Sequence, residues 1–136
     1  MKVYVLDANA VIRFLSHGPG EEKVAALFER QAKGEARLLI SVVNWGEVLY
    51  TLARRVGLNQ AKTDLEAIGE MVEPEAIDQT QAETAATLKL HYRLGYADCF
   101  AAALAIGRSA TLVTADAEFA KLGRKLRVLA LPRHQR

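Results

Sequence analysis

Val3-Tyr4-Val5-Leu6-Asp7 stands almost at the start of the chain and places an acid directly behind a short apolar run. Such a run has the length and composition of a β-strand. A similar arrangement returns near the other end, where Leu112-Val113-Thr114 is followed two residues later by Asp116. The two stretches predict strands that end in carboxylates.

Outward from these two stretches, short apolar runs alternate with longer amphipathic segments. The strand-like runs are residues 3–6, 38–41, 72–77, 112–114 and 128–131. Helical periodicity fills the intervals, as in the apolar stripe of Val48, Leu49, Leu52 and Val56, which Gly57 ends. Strands separated by helices pair in parallel through right-handed crossovers. We therefore expect an α/β three-layer sandwich, with helices on both faces of a small, mainly parallel sheet.

The chain has 136 residues, of which 51% are apolar and 25% charged, and this balance predicts one globular domain over residues 1–131 with a basic tail at 132–136. The single Cys99 forms no internal disulfide, and His17, His91 and His134 lack the spacing of zinc ligands. The longest apolar run, residues 99–106, is too short for a membrane helix, and the N-terminus does not resemble a signal peptide. We expect a cytoplasmic protein.

Charge is unevenly distributed, although the net charge is only +2. Residues 64–87 contain acids but no Lys or Arg, whereas residues 121–136 contain bases but no acid. This polarity could orient a polyanion. The alternative is a solvated pair of helices followed by a frayed basic end.

Four acids follow or flank predicted strands. Asp7 and Asp116 come after strands, Glu47 shares a polar helix face with Asn44 near the start of the helix after residues 38–41, and Asp98 opens an alanine-rich helix. Because ligands bind at the carboxyl ends of parallel strands, we expect these four carboxylates to meet at one sheet edge.

Each acid also has a simpler interpretation. Asp98 and Asp116 could be helix N-caps, Glu47 a solvent-facing residue, and Asp7 a cap of the first helix, although Asn9 is better placed for that. Clustered carboxylates, however, repel one another unless a cation or an arginine neutralises them. No Lys or Arg lies within two residues of Asp7, Asp98 or Asp116, so a bound cation is the simpler counter-charge.

Four stretches in this order resemble the motifs of PIN-domain ribonucleases, specifically the VapC-type toxins of bacterial and archaeal toxin–antitoxin pairs. They are Val5-Leu6-Asp7-Ala8-Asn9, Ser41-Val42-Val43-Asn44-Trp45-Gly46-Glu47, Tyr96-Ala97-Asp98 with its alanines, and Thr114-Ala115-Asp116-Ala117-Glu118-Phe119. The resemblance spans residues 3–131. Cys99 departs from the polar or small residue common there, and we interpret it as a core residue rather than a redox thiol.

The resemblance implies a metal-dependent endoribonuclease toxin that hydrolyses RNA phosphodiester bonds, with Asp7, Glu47 and Asp98 as metal ligands and Asp116 as the fourth acid. Oxygen ligands suit Mg²⁺ or Mn²⁺, and whether one or two ions act is open. The implied partners are RNA, a small antitoxin protein and a second copy of the chain in a homodimer.

Supporting residues follow from position. Asn9 could orient Asp7 or cap a helix, and Thr114 could bind an acid or only end its strand. The first candidates for RNA backbone contacts are Arg13, Arg108, Lys121 and Arg124. The alternative function is a catalytically silent PIN-like module that binds RNA or a protein partner. A phosphoacceptor receiver domain is excluded because Asp7 has no acidic neighbour and no lysine follows the last strand.

Overall fold

The structure, a computed structural model, describes residues 1–133 as an alternation of strands and helices. The strands are β1 (Lys2–Leu6), β2 (Ala36–Ser41), β3 (Glu73–Glu75), β4 (Thr111–Thr114) and β5 (Arg127–Ala130). The helices are α1 (Ala8–Leu15), α2 (Glu21–Ala32), α3 (Val42–Val56), α4 (Leu58–Ile68), α5 (Gln79–Tyr92) and α6 (Tyr96–Gly107), and a 3₁₀ segment covers Ala117–Lys125. Residues 134–136, which include His134 and most of the predicted basic tail, lie outside the described part.

The strands form one parallel sheet in the order β3-β2-β1-β4-β5. This arrangement confirms the predicted α/β sandwich with a small parallel sheet. The division into a domain at 1–131 and a tail stays a prediction, although Leu131 is still buried in the core.

Side chains of the central strand alternate between two core layers, as the period of a strand requires. Tyr4 and Leu6 pack with α1 to α4 on one face of the sheet, whereas Val5 packs with α5, α6 and the 3₁₀ segment on the other. The alanines of α6 are buried against the sheet rather than open to a ligand. At the end of α3, Val56 lies exposed, so the predicted apolar stripe stops at Leu52.

Acid-rich residues 64–87 lie on α4, β3 and α5, where most of the carboxylates are exposed. This placement agrees with a solvated helix pair. None of the helices within residues 1–133 is both long and apolar enough to span a bilayer.

The end of β5 is held against the loop between α1 and α2. Arg13 Nη1 donates to the carbonyl oxygens of Pro19, at 2.7 Å, and Pro132, at 2.6 Å. Lys23 Nζ donates to Ala130 O at 3.3 Å. A Cβ at Gly20 would lie 2.8 Å from Pro132 Cδ, so this close approach requires glycine. These contacts are called the β5 clamp below.

Candidate active site

β1 and β4 are neighbours in the sheet although they lie far apart in sequence. The strand order runs outward from this pair in both directions, through β2 and β3 on one side and to β5 on the other. Ligands in open parallel sheets bind at such a switch point, beyond the carboxyl ends of the strands. Asp7 directly follows β1 and Thr114 ends β4, so both stand at this position. Asp7 is only 2% exposed, which is unusual for an acid without a cationic partner.

Three donors fix the Asp7 carboxylate. Oδ1 accepts from the backbone N–H of Ala8 at 2.9 Å, while Oδ2 accepts from Thr114 Oγ1 at 2.8 Å and Asn9 Nδ2 at 3.0 Å. Asp7 is thus also the N-cap of α1, and the expectation that Asn9 is the better cap is wrong. Asn9 and Thr114 both contact Asp7, as proposed from the sequence.

The same two side chains shape the loop after β4. Asn9 Oδ1 accepts from Ala115 N at 2.9 Å, and Thr114 Oγ1 accepts from Asp116 N at 3.0 Å. Asp116 caps the 3₁₀ segment through a 2.9 Å bond from Glu118 N to Oδ1. The cap interpretation of Asp116 is therefore correct, and it places this carboxylate at the same sheet edge as Asp7.

Glu47 is held by Asn44, which is fully buried on α3. Asn44 Nδ2 donates to Glu47 Oε1 at 2.8 Å and to Ala97 O, at the start of α6, at 3.2 Å. Both partners are acceptors, which fixes the orientation of the amide. Its Oδ1 accepts no hydrogen bond from residues 1–133 and remains available to a donor or a cation. The sequence indicates only that Asn44 and Glu47 share a polar helix face.

Asp98 lies in the first turn of α6, inside the helix rather than at its cap, which is Gly95. A Cβ at Gly95 would come within 3.1 Å of Asp98 Oδ2, tighter than ordinary packing. Glycine thus leaves space beside this carboxylate. The N-terminal end of the helix dipole favours its negative charge.

Electrostatics show that the acids are close to one another. Burial, followed by the charge of Asp98, raises the pKa of Asp7 from 3.8 to about 7, against the lowering effect of its hydrogen bonds. Burial and the charges of Asp116, Glu47 and Glu118 raise the pKa of Asp98 to about 6. We call Asp7, Glu47, Asp98, Asp116 and Glu118 the acidic cluster. Glu118 was not predicted as a member.

The donors of this cluster fit a hard divalent cation. All are oxygens, and the charges that raise these pKa values are those a cation would neutralise. Within the described residues, no three His, Cys, Asp or Glu side chains stand close enough together to hold a metal ion without some rearrangement.

The PIN domain family model matches residues 4–125, which include the whole acidic cluster. The chain belongs to the PIN-domain family. No curated protein matches the sequence significantly.

Solved structures agree on the fold of this PIN domain. It is similar to VapBC2 of Rickettsia felis bound to a promoter DNA fragment, with 19% identity, a TM-score of 0.75, and coverage of 95% of this chain and 98% of that one. A toxin–antitoxin complex from Klebsiella pneumoniae matches with 21% identity, a TM-score of 0.67 and coverage of 93% and 95%. The sarcin-ricin loop cleaving toxin VapC20 of Mycobacterium tuberculosis matches with 16% identity, a TM-score of 0.68 and coverage of 88% and 95%.

Three of the four basic residues proposed for RNA contact are either engaged by other groups or lie away from the acidic cluster of this PIN domain. Arg13 belongs to the β5 clamp. Arg108 caps the far end of α6, about 15 Å from Asp98 by helix rise, and pairs with Glu75. Arg124 lies near the starts of β4 and β5, at the opposite sheet edge.

Lys121 is the exception, because it lies on the 3₁₀ segment and pairs with Glu118 of the cluster at 2.9 Å. Sequence position alone does not distinguish these cases, since long exposed side chains carry no periodic signal. Cys99 is fully buried and burial raises the pKa of its thiol, in agreement with a core role.

Proposed function

We propose that this PIN domain is a divalent-cation-dependent endoribonuclease, the toxin component of a toxin–antitoxin pair. The observation that carries the proposal is the burial of Asp7 at the strand switch point, within range of the charges of Asp98 and Glu47. A cluster of this kind costs folding free energy, and a structural role would be served better by neutral side chains.

Mg²⁺ or Mn²⁺ would be held by Asp7, Glu47 and Asp98, with Asp116 as the fourth acid. When bound, the ion supplies activation of a water and neutralisation of charge on the scissile phosphodiester. Asn44 Oδ1, on the side chain that orients Glu47, is buried and accepts no hydrogen bond from residues 1–133. The family relationship supports a divalent metal in general. The oxygen donors favour a hard ion such as Mg²⁺ or Mn²⁺ over a softer metal.

The protein itself contributes orientation and proton exchange. Thr114 and Asn9 direct Asp7 Oδ2, and Asn44 directs Glu47 Oε1, so these carboxylates are fixed before substrate arrives. With pKa values of about 7 and 6, Asp7 is partly protonated and Asp98 mostly ionised at neutral pH, and the protons that remain are released when positive charge enters the cluster.

RNA, an antitoxin protein and a second copy of the chain are the proposed partners. Support comes from the solved relatives, among which are a toxin–antitoxin complex and a toxin that cleaves the sarcin-ricin loop. An antitoxin that covers an acidic cluster needs complementary positive charge.

The test is cleavage of total cellular RNA by the purified chain with Mg²⁺, Mn²⁺ or a chelator. We expect cleavage only with a divalent ion, and a loss of at least a hundredfold in Asp7→Asn and Asp98→Asn. Asp64→Asn, at a half-buried position of α4 outside the acidic cluster, is the matched control and should cleave as the native chain does. RNA binding without cleavage under every metal condition would favour the catalytically silent module instead.

A further inference from the structure

A pocket of about 440 Å³ lies between the 3₁₀ segment and β5, directly beside the acidic cluster. Ala117 and Ala120 form one wall, and Val128 and Ala130 form the other. Binding pockets for small molecules have volumes of about 300–1,000 Å³ and mostly apolar walls with few polar groups. This pocket meets both conditions, and its small side chains leave a slot rather than a filled core.

The pocket adjoins the acidic cluster because Asp116 of the cluster lines it, as does Thr114, which hydrogen-bonds with Asp7 and Asp116. Arg133 stands at its other margin. If a phosphodiester of the RNA lies at the cluster, the base of an adjacent nucleotide can therefore reach this slot. A neutral base is the part of RNA that can lie against Asp116 without repulsion, while Arg133 offers a guanidinium to a neighbouring phosphate.

We infer that the slot between the 3₁₀ segment and β5 binds one unstacked nucleobase of the RNA, and so selects the base beside the cut. Sequence-specific recognition of RNA commonly uses splayed bases in single-stranded regions. A peptide strand that paired with the edge strand β5 is a weaker interpretation. Such pairing needs free backbone groups, and the carbonyl oxygen of Ala130, at the end of β5, already accepts a hydrogen bond from Lys23 Nζ. The inference rests on the proposed ribonuclease function.

Cleavage of four RNA oligonucleotides that differ only in the base beside the cut tests this inference. We expect the native chain to prefer one base by at least tenfold in kcat/KM. Ala130→Phe fills the slot from β5 and Ala120→Phe fills it from the 3₁₀ segment, and both residues are exposed enough for the fold to tolerate the change. Either variant should reduce the preference to less than threefold. Ala86→Phe, exposed on α5, is the matched control and should keep it.

Binding is measured independently by adding each nucleoside 5′-monophosphate and following the methyl NMR signals of Val128 and Leu131. These should shift on saturation in the native chain and not in Ala130→Phe, whereas Val56 and Leu58, exposed at the α3–α4 junction, should not move. If the native chain cleaves all four RNAs equally, or if the filled variants keep its preference, the inference is wrong.

Absence of cleavage with a positive NMR result would refute the ribonuclease proposal and retain the base site. If the four nucleotides leave the methyl signals unchanged, no base site exists. If deletion of residues 134–136 alone shifts those signals, the slot belongs to the chain's own end, and the inference is again wrong.

Discussion

Thr114 Oγ1 donates a 2.8 Å hydrogen bond to Asp7 Oδ2, joining the ends of β1 and β4 at the strand switch point. The same oxygen accepts from Asp116 N, so one hydroxyl orders two acids of the cluster. A backbone N–H and a buried carboxylate would both lose a partner if this hydroxyl were removed.

Thr114→Val should lower the free energy of unfolding by about 1–3 kcal/mol, because it leaves buried polar groups unsatisfied at nearly constant volume. It should also raise the pKa of Asp7 further, since this hydrogen bond favours the charged form. The acidic limb of the pH–activity profile then moves to higher pH. Thr111→Val, at the start of β4, is the control. Equal stability of the two variants would contradict the role assigned to Thr114.

Stability without divalent ions should fall as pH rises. The unfolded chain releases the Asp7 proton near pH 3.8, whereas the folded chain keeps it to about pH 7. The stabilisation from Asp7 is therefore complete below about pH 4, falls by about 1.4 kcal/mol for each pH unit up to about pH 7, and is lost at pH 8. Urea denaturation at several pH values measures the loss, and Asp7→Asn should abolish most of it. An equal slope in that variant would refute the raised pKa.

Divalent ions should reverse this loss at pH 8, because they bind the assembled cluster and not the unfolded chain. At a hundred times its Kd, an ion adds about 2.7 kcal/mol to the free energy of unfolding. Thermal melts with Mg²⁺ or Mn²⁺ should show a higher Tm than melts with a chelator. Asp98→Asn should lose most of the increase and Asp64→Asn none of it. An increase of equal size in both variants would locate the ion elsewhere.

Asn44→Ala should impair catalysis through Glu47, which loses the 2.8 Å bond that orients its carboxylate. We expect kcat to fall about tenfold with little change in KM, and more divalent ion to be needed for half-maximal rate. Only the change in ion requirement distinguishes a positioning role from simple destabilisation. Thr51→Ala, one helical turn beyond Glu47 on α3, provides the comparison. Unchanged ion dependence would show that Asn44 only packs.

Arg13→Ala should act on stability rather than on RNA binding. It removes two hydrogen bonds of the β5 clamp and should cost about 1–3 kcal/mol in the free energy of unfolding. Lys121→Ala should show the opposite pattern, with stability nearly unchanged and a smaller salt dependence of RNA affinity. To measure RNA affinity without cleavage, both substitutions are made in the catalytically impaired Asp98→Asn variant. The salt dependence of its RNA affinity then distinguishes the role of Arg13 from that of Lys121. If the RNA affinity of Arg13→Ala depends less steeply on salt concentration than that of the parent, Arg13 contacts RNA after all.

Much of this architecture could be predicted because it rests on local patterns. Every strand except β3, which is Glu73-Pro74-Glu75, contains a short apolar run. Asp7 directly follows β1 and Asp116 comes two residues after β4, so the pairing of these two strands brings the acids together. The strand order could not be predicted, but any parallel arrangement places strand ends at one edge.

The rest depends on contacts between residues far apart in sequence. The link from Asn44 to Ala97 joins α3 to α6, and nothing near Asn44 in the sequence indicates it. Arg13 and Arg108 resemble any exposed bases until the structure shows their carbonyl and carboxylate partners. Glu118 joins the cluster because Asp116 caps the 3₁₀ segment and turns the chain.

The β5 clamp has a consequence for the order in which the molecule is assembled. Synthesis proceeds from the N-terminus, so Arg13 and Lys23 exist long before Pro132 and Ala130, the carbonyl partners they hold. One wall of the slot beside Asp116 is β5 itself, which is made after the other four strands within residues 1–133. The sheet edge that holds the acids can form first, and the surface that would select RNA is completed only after β5 has been synthesised.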